Sequence, residues 1–203
     1  MNWLAHLLLS EPDVEARVGS VAADWVKGER RLAFSAGVQS GFALHRVVDH
    51  FTDTHAVVAR SLARIQSPYK RYAGVLVDVF YDHFLARNWS LFCAQPMRAF
   101  IDEVYAAIAA HEPQLPEAIN RGFAIMRRDD WLGSYASVDG IALTLQRVSR
   151  RLRPGNLLAE GAAQITAHYD AMDADFLEFF PQLQARAREW ITTSAPPPAA
   201  HRR

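Results

Sequence analysis

The stretch HRVVDHFTDTH, running from His45 to His55, concentrates three histidines and two aspartates among apolar residues. Read as a helix, residues four apart lie one turn apart on nearly one face. His45, Asp49 and Asp53 then form a single polar column that drifts by about 40° per step. His50 sits beside Asp49, and His55 falls at the helix end. One His–Asp pair at this spacing is as readily a surface ion pair as a pair of ligands. A second stretch, GVLVDVFYDHFLARNW, sets Asp78 and Asp82 four apart with His83 adjacent. Its flanks are apolar almost all round, which predicts a buried helix. Carboxylates in such a helix are costly unless paired or bound to a cation, and two on one face repel. A divalent metal relieves that. So does an arginine, with Arg46 and Arg87 as the available partners.

Two further polar residues interrupt apolar runs: Asp24 in GSVAADWVKG and His6 in MNWLAHLLLS. Each alone reads as a satisfied core polar group. Together with the two stretches they make a set of imidazoles and carboxylates without thiolate, which suits manganese, magnesium, iron or zinc. Pairs at i, i+4 from two packed helices are a known way to build such a site within a bundle. A metal held so polarises a phosphoryl oxygen and acidifies bound water, and a spare carboxylate can act as general base. Serine-nucleophile, phosphate-loop and dinucleotide glycine motifs are absent.

The elements that must position these residues are helical. The chain has 203 residues, half of them apolar, which suits one domain with a sizeable core. Strand and hairpin signals are nearly absent, while helical periodicity recurs. Helices are expected over 2–9, 13–27 with Gly28 as a stop, 34–53 and 55–65. The next should open at Ser67-Pro68 and run to about Asn88. Others follow from Pro96 to near His111, over 117–127, and over 130–152 with a break near Gly133 or Gly140. Pro154-Gly155 is a breaker, and a long last helix spans 157–191 with a kink at Pro181. The fold expected is a single compact all-α domain over 1–191. Residues 192–203 are expected to be a disordered tail.

Charge is balanced at 22 acidic and 22 basic residues, which argues for neither nucleic acid nor a membrane surface. Cys93 is the single cysteine, so an intrachain disulfide and a four-cysteine zinc site are excluded, and a cytoplasmic setting is expected. The apolar start carries no basic region or cleavage site and is broken at Glu11-Pro12, which reads as a packed helix rather than a signal peptide. No apolar run is long enough to span a membrane.

Four signatures, MNWLAHLLLS, VAADWVKG, LHRVVDHFTDTH and GVLVDVFYDHFLARNW, with the later AHYDAMDADFLEFFPQL, resemble in order and spacing the acyl carrier protein phosphodiesterase family. The resemblance spans about residues 1–190, the middle matching by helical character alone. It implies a divergent helical relative of the HD phosphohydrolases, although the adjacent pairs here, Asp49-His50 and Asp82-His83, run in reverse order. It also implies a manganese-dependent enzyme. That enzyme would hydrolyse the phosphodiester between 4′-phosphopantetheine and a serine of acyl carrier protein, giving apo carrier protein and 4′-phosphopantetheine. On that resemblance His45, Asp49, Asp82 and His83 are expected as metal ligands. Asp24 and Asp78 are expected to activate water or supply a further ligand, and His6, His50, Asp53 and His55 are additional members. The acidic protein partner calls for a local basic surface. Lys27, Arg30, Arg31, Arg64 and Arg71 flank the motifs and are the first choice, with Arg60, Lys70, Arg127-Arg128 and Arg147 to Arg153 as further options. Two other functions remain open on sequence: a metal phosphohydrolase of small phosphate esters or nucleotides, and a non-catalytic helical binding module whose buried acids are held by arginines.

Overall fold

In the computed structural model, which describes residues 1–194, the described chain folds into eleven α-helices joined by short turns and 3-10 segments, with no strand among the described residues. None of these helices is long and apolar enough to cross a membrane. The order begins with α1 (Trp3–Leu9), α2 (Val14–Ala22), α3 (Ala36–Thr54), α4 (Ala56–Arg64) and α5 (Ala73–Arg87). It continues through α6 (Met97–His111), α7 (Glu117–Arg128), α8 (Trp131–Ser134), α9 (Val138–Ser149), α10 (Ala163–Ala167) and α11 (Tyr169–Ser194). Polar side chains cap several starts: Asp13 accepts from Ala16 N–H, Ser35 from Val38 N–H and Ser137 from Gly140 N–H.

Helix α5 is the axis of the core. Leu76, Phe80, Tyr81, Phe84 and Leu85 are fully buried, and α11 lays Phe176 and Phe179 against it in edge and tilted ring contacts. Because α5 is enclosed on all sides, its apolar residues show no single stripe, as expected of a central helix.

Helices α2 and α3 approach backbone to backbone. A Cβ added at Gly19 would stand 2.1 Å from Val38 O, and one at Gly41 would stand 2.2 Å from Ala16 O. Only hydrogen at these two positions permits that approach.

Three element boundaries differ from those expected. The helix expected over 13–27 ends at Ala22 and passes into a turn at Ala23–Trp25. The helix expected from Ser67-Pro68 starts at Ala73, after a single 3-10 turn at Lys70–Tyr72. Gln66, Ser67, Pro68, Lys70 and Arg71 are all exposed, and without an apolar face to pack, helix is not held there. The break expected within 130–152 near Gly133 or Gly140 falls between them, at Tyr135–Ser137, where a Cβ on Gly140 would clash with Ser134 O. The expected 157–191 helix is divided into a 3-10 segment, α10 and α11, with the break at His168. Beyond it α11 passes through Pro181 and includes Thr192, Thr193 and Ser194, so helix covers the first part of the expected tail. The remainder of that tail lies outside the described residues.

Candidate metal centre

Helix α1 carries His6, α3 carries His45 and Asp49, and the turn after α2 carries Asp24. Asp24, His45 and Asp49 line one cleft, and His6 lies against Asp49 and His45. One ligand atom from each of His6, His45 and Asp49 lies within 4.8 Å of the other two. His45 Nε2 is 2.9 Å from Asp49 Oδ2, and His6 Nε2 is 3.2 Å from Asp49 Oδ1. The two imidazoles stack with centroids 4.1 Å apart.

The orientation of each group has a local cause. The His45 Nδ1–H donates to Ser20 O at 2.7 Å. A carbonyl only accepts, so the Nδ1 carries a proton; the Nε2 faces the Asp49 carboxylate, where it carries a second proton that a bound metal would displace. The Ser20 carbonyl reaches His45 because the Gly19–Gly41 contact brings α2 onto α3. Asp24 is fixed by the Trp3 Nε1–H, which donates to its Oδ2 at 2.9 Å, leaving Oδ1 3.7 Å from His45 Nε2.

The electrostatics favour a cation. His6 is buried, yet neither ring nitrogen makes a hydrogen bond; its Nε2 stands near Asp49 without the alignment of one. An unpartnered buried imidazole costs free energy that a metal would recover. Burial holds its pKa below the usual histidine value, against the pull of Asp49. Burial also pulls His45 down, but the hydrogen bond and charge of Asp49, with Asp24, carry it above its ordinary value. Burial pushes Asp49 up, but His45 and His6 together hold it far below the usual carboxylate range. Two imidazoles and a carboxylate, without thiolate, suit manganese, iron or zinc. The residues present therefore fit a divalent metal.

The cleft has a volume of about 340 Å³. His45, Asp49 and Asp24 line it. Asp53 and Asp78 add to its acidic lining, and Trp3, Val148 and Arg151 line it as well. Asp78 Oδ1 is 2.9 Å from the Met1 nitrogen. Asp53 is exposed, and partial burial with the charges of Asp78 and Asp49 raises its pKa.

Other residues with the same chemistry are used differently. Asp82 is fully buried and accepts from two backbone groups at the start of α1: Leu4 N–H at 2.7 Å and Asn2 N–H at 3.2 Å. It closes the N-terminus of the helix that carries His6, where free N–H groups favour a carboxylate. Burial nonetheless pushes its pKa up to about 7. His83 Nδ1–H donates to Tyr135 O at 2.8 Å, and its Nε2 accepts from Tyr169 Oη at 2.7 Å. The Tyr169 contact exists because the break at His168 turns α11 towards α5. Neither Asp82 nor His83 joins the His6–His45–Asp49 group. Among the described residues no arginine holds Asp78 or Asp82; Arg46 lines a separate depression with His50, and Arg87 lies over Tyr169. The His55 Nδ1 accepts from Val57 N–H and so caps α4.

The expected basic residues divide likewise. Arg64 is paired to buried Asp175, as is Arg60. Arg31 donates to the carbonyls of Ala23 and Val26, and Lys27 reaches Ala23 O. Arg30 is exposed, and Arg71 lies over the Tyr72 ring beside a separate depression. Four features of the site went unread in the sequence: Trp3 as the clamp on Asp24, the Ser20 carbonyl, the paired glycines, and Arg151 in the wall. The spacing Ala16, Gly19, Ser20 opposite Gly37, Gly41 was the available signal for a close helix crossing.

Comparison with known proteins agrees across nearly the whole chain. A sequence profile for the family described as acyl carrier protein phosphodiesterase matches residues 1–183. A protein of that name from Photorhabdus laumondii is 34% identical over 188 residues, covering 92% of this chain and 95% of the relative. One from Yersinia enterocolitica is 32% identical over 192 residues, 93% of this chain and 98% of the relative, and one from Yersinia pestis is 31% identical over 191 residues, with the same coverage. No solved structure matches. The chain belongs to the acyl carrier protein phosphodiesterase family, whose members are phosphoric diester hydrolases.

Proposed function

We propose that this protein hydrolyses the phosphodiester joining 4′-phosphopantetheine to a serine of acyl carrier protein, at a divalent metal held by His6, His45 and Asp49. Manganese is the metal the family resemblance implies. The observation that carries the reading is the His6 ring, buried without a hydrogen bond among the described residues, beside the Nε2 of His45 and the carboxylate of Asp49. A bound cation supplies Lewis-acid polarisation of the phosphoryl oxygen and a lower pKa for water.

The chain's own residues do the rest. Ser20 O and Trp3 Nε1–H fix the orientations of His45 and Asp24 before substrate arrives, which lowers the reorganisation cost of reaction. Asp24 Oδ1, at the cleft side of His45, accepts the proton of the attacking water. The water oxygen bonds to phosphorus, the bond to the serine oxygen breaks, and that oxygen is protonated from solvent through the open cleft. Trp3 and Val148 line the wall available to the apolar part of the pantetheine arm. The single Cys93 and the carrier-protein substrate support a cytoplasmic setting.

The test is intact-mass analysis of holo acyl carrier protein incubated with this protein, with manganese and after chelation. The expected result is loss of the phosphopantetheine mass only with metal. An unchanged mass with folded, metal-loaded protein overturns the substrate. A folded protein that binds no divalent metal overturns the metal centre and favours a binding module.

A further inference from the structure

We propose that the carrier protein docks on a basic rim formed by Arg151, which lines the cleft, and by Arg153 and Arg71, which line the neighbouring depression. This rests on the carrier-protein reading above and identifies the surface that serves it.

Four observations converge. First, these three arginines make no ion pair among the described residues, whereas Arg60 and Arg64 are neutralised by Asp175. Their charge is therefore available to a partner. Second, the segment QRVSRRLRPG, from Gln146 to Gly155, holds four arginines and no acid. Third, Leu152 lies between Arg151 and Arg153 with 42% of its surface exposed. It shares a depression of about 460 Å³ with Arg71, Tyr72, Arg153 and Asn156. An apolar side chain within a ring of cations is the complement of a protein face with an apolar centre and acidic edges. Fourth, the rim is continuous with the site. Arg151 lies over both Trp3 and Trp131, at 5.7 and 5.6 Å from their ring centroids, and itself lines the cleft that contains His45 and Asp49.

The rim also answers an electrostatic difficulty. Asp24, Asp49, Asp53 and Asp78 make the cleft acidic, so an acidic protein approaching it directly is repelled. Cations at the mouth offset that repulsion and orient the partner with its phosphopantetheine arm towards the metal centre.

The test compares Arg71→Glu and Arg153→Glu with wild type in steady-state release of phosphopantetheine from holo acyl carrier protein. Arg188→Glu, on the far-removed sequence of α11 and exposed, is the control. Each rim reversal should raise KM about tenfold, with the change falling on KM rather than kcat, and the wild-type KM should rise with salt. Replacing acidic residues of the carrier protein by lysine should restore part of the loss in the reversed variants, which a misfolded variant would not allow. The docking surface is overturned if wild type is active and neither reversal moves KM. It is also overturned if both reversals slow a small phosphodiester such as bis-p-nitrophenyl phosphate as much as the carrier protein. If wild type itself releases no phosphopantetheine, the substrate reading fails and takes the docking surface with it, a result distinguishable by the wild-type lane alone.

Discussion

Helices α3 and α5 carry the same side-chain types to opposite ends. On α3, His45 and Asp49 face His6 across a small gap, and the two His6 nitrogens have no hydrogen-bond partner among the described residues. On α5, Asp82 and His83 are deeper, and every strong contact they make is a complete hydrogen bond: two backbone N–H groups for the acid, a carbonyl and a phenol for the imidazole. Burial alone does not separate the two places: His45 and His83 are both buried, while Asp49 is half-buried where Asp82 is enclosed. What separates them is satisfaction. A buried polar group with its partners in place holds the structure together, and one without them is available to a ligand.

The largest effect should come from the unsatisfied group. Asp49→Ala removes the carboxylate that both imidazoles face, and should empty the metal centre, measured as bound divalent cation per chain. Because the metal's charge stabilisation is worth several kcal/mol, turnover should fall by roughly a thousandfold or more. Retention of a full metal complement would break the comparison from the α3 side.

Next comes the satisfied acid. Asp82→Ala strands the N–H groups of Asn2 and Leu4 and should cost about 3 kcal/mol of unfolding free energy, read by denaturant titration. A variant of unaltered stability that has lost its metal would instead make Asp82 a ligand.

The smallest effect is at His83, and it depends on pH. Burial lowers its pKa below 6.5, against the Tyr135 carbonyl. The unfolded ring takes up a proton near 6.5, whereas the folded ring stays neutral to lower pH. Its contribution is therefore present above that value and is lost as pH falls below it. His83→Gln should cost about 1 kcal/mol at neutral pH. The stability difference from wild type should narrow on acidification to about pH 5, and a constant difference across that range would show that the ring titrates no differently in the two states.

Much of this was legible in sequence because it is local. The helices α1, α3, α6 and α7 fall close to where periodicity and the prolines put them. The boundaries that moved, at Ala22, Ala73 and His168, are places where tertiary contact decides whether another turn of helix is held. Among site residues, the His45–Asp49 pair was visible because i, i+4 geometry is intrinsic to a helix. His6 was visible only as an oddity in an apolar run. The equal weight given to Asp82 and His83 followed from the same residue types at the same spacing. Their partners, the N–H groups at the start of α1 and the hydroxyl of Tyr169, lie far away in sequence.

The sequence by itself determined the helical class, the presence of imidazoles and carboxylates without thiolates, and the family. All three are written in residue types and short-range spacing. Only the tertiary structure decided which of those groups share a centre. That depends on how closely α2 and α3 can approach at Gly19 and Gly41, and on which backbone carbonyl or N–H each side chain meets. A hydrogen bond made or missed over a few tenths of an ångström separates a ligand from a strut, and no periodicity along one chain encodes a distance between two helices.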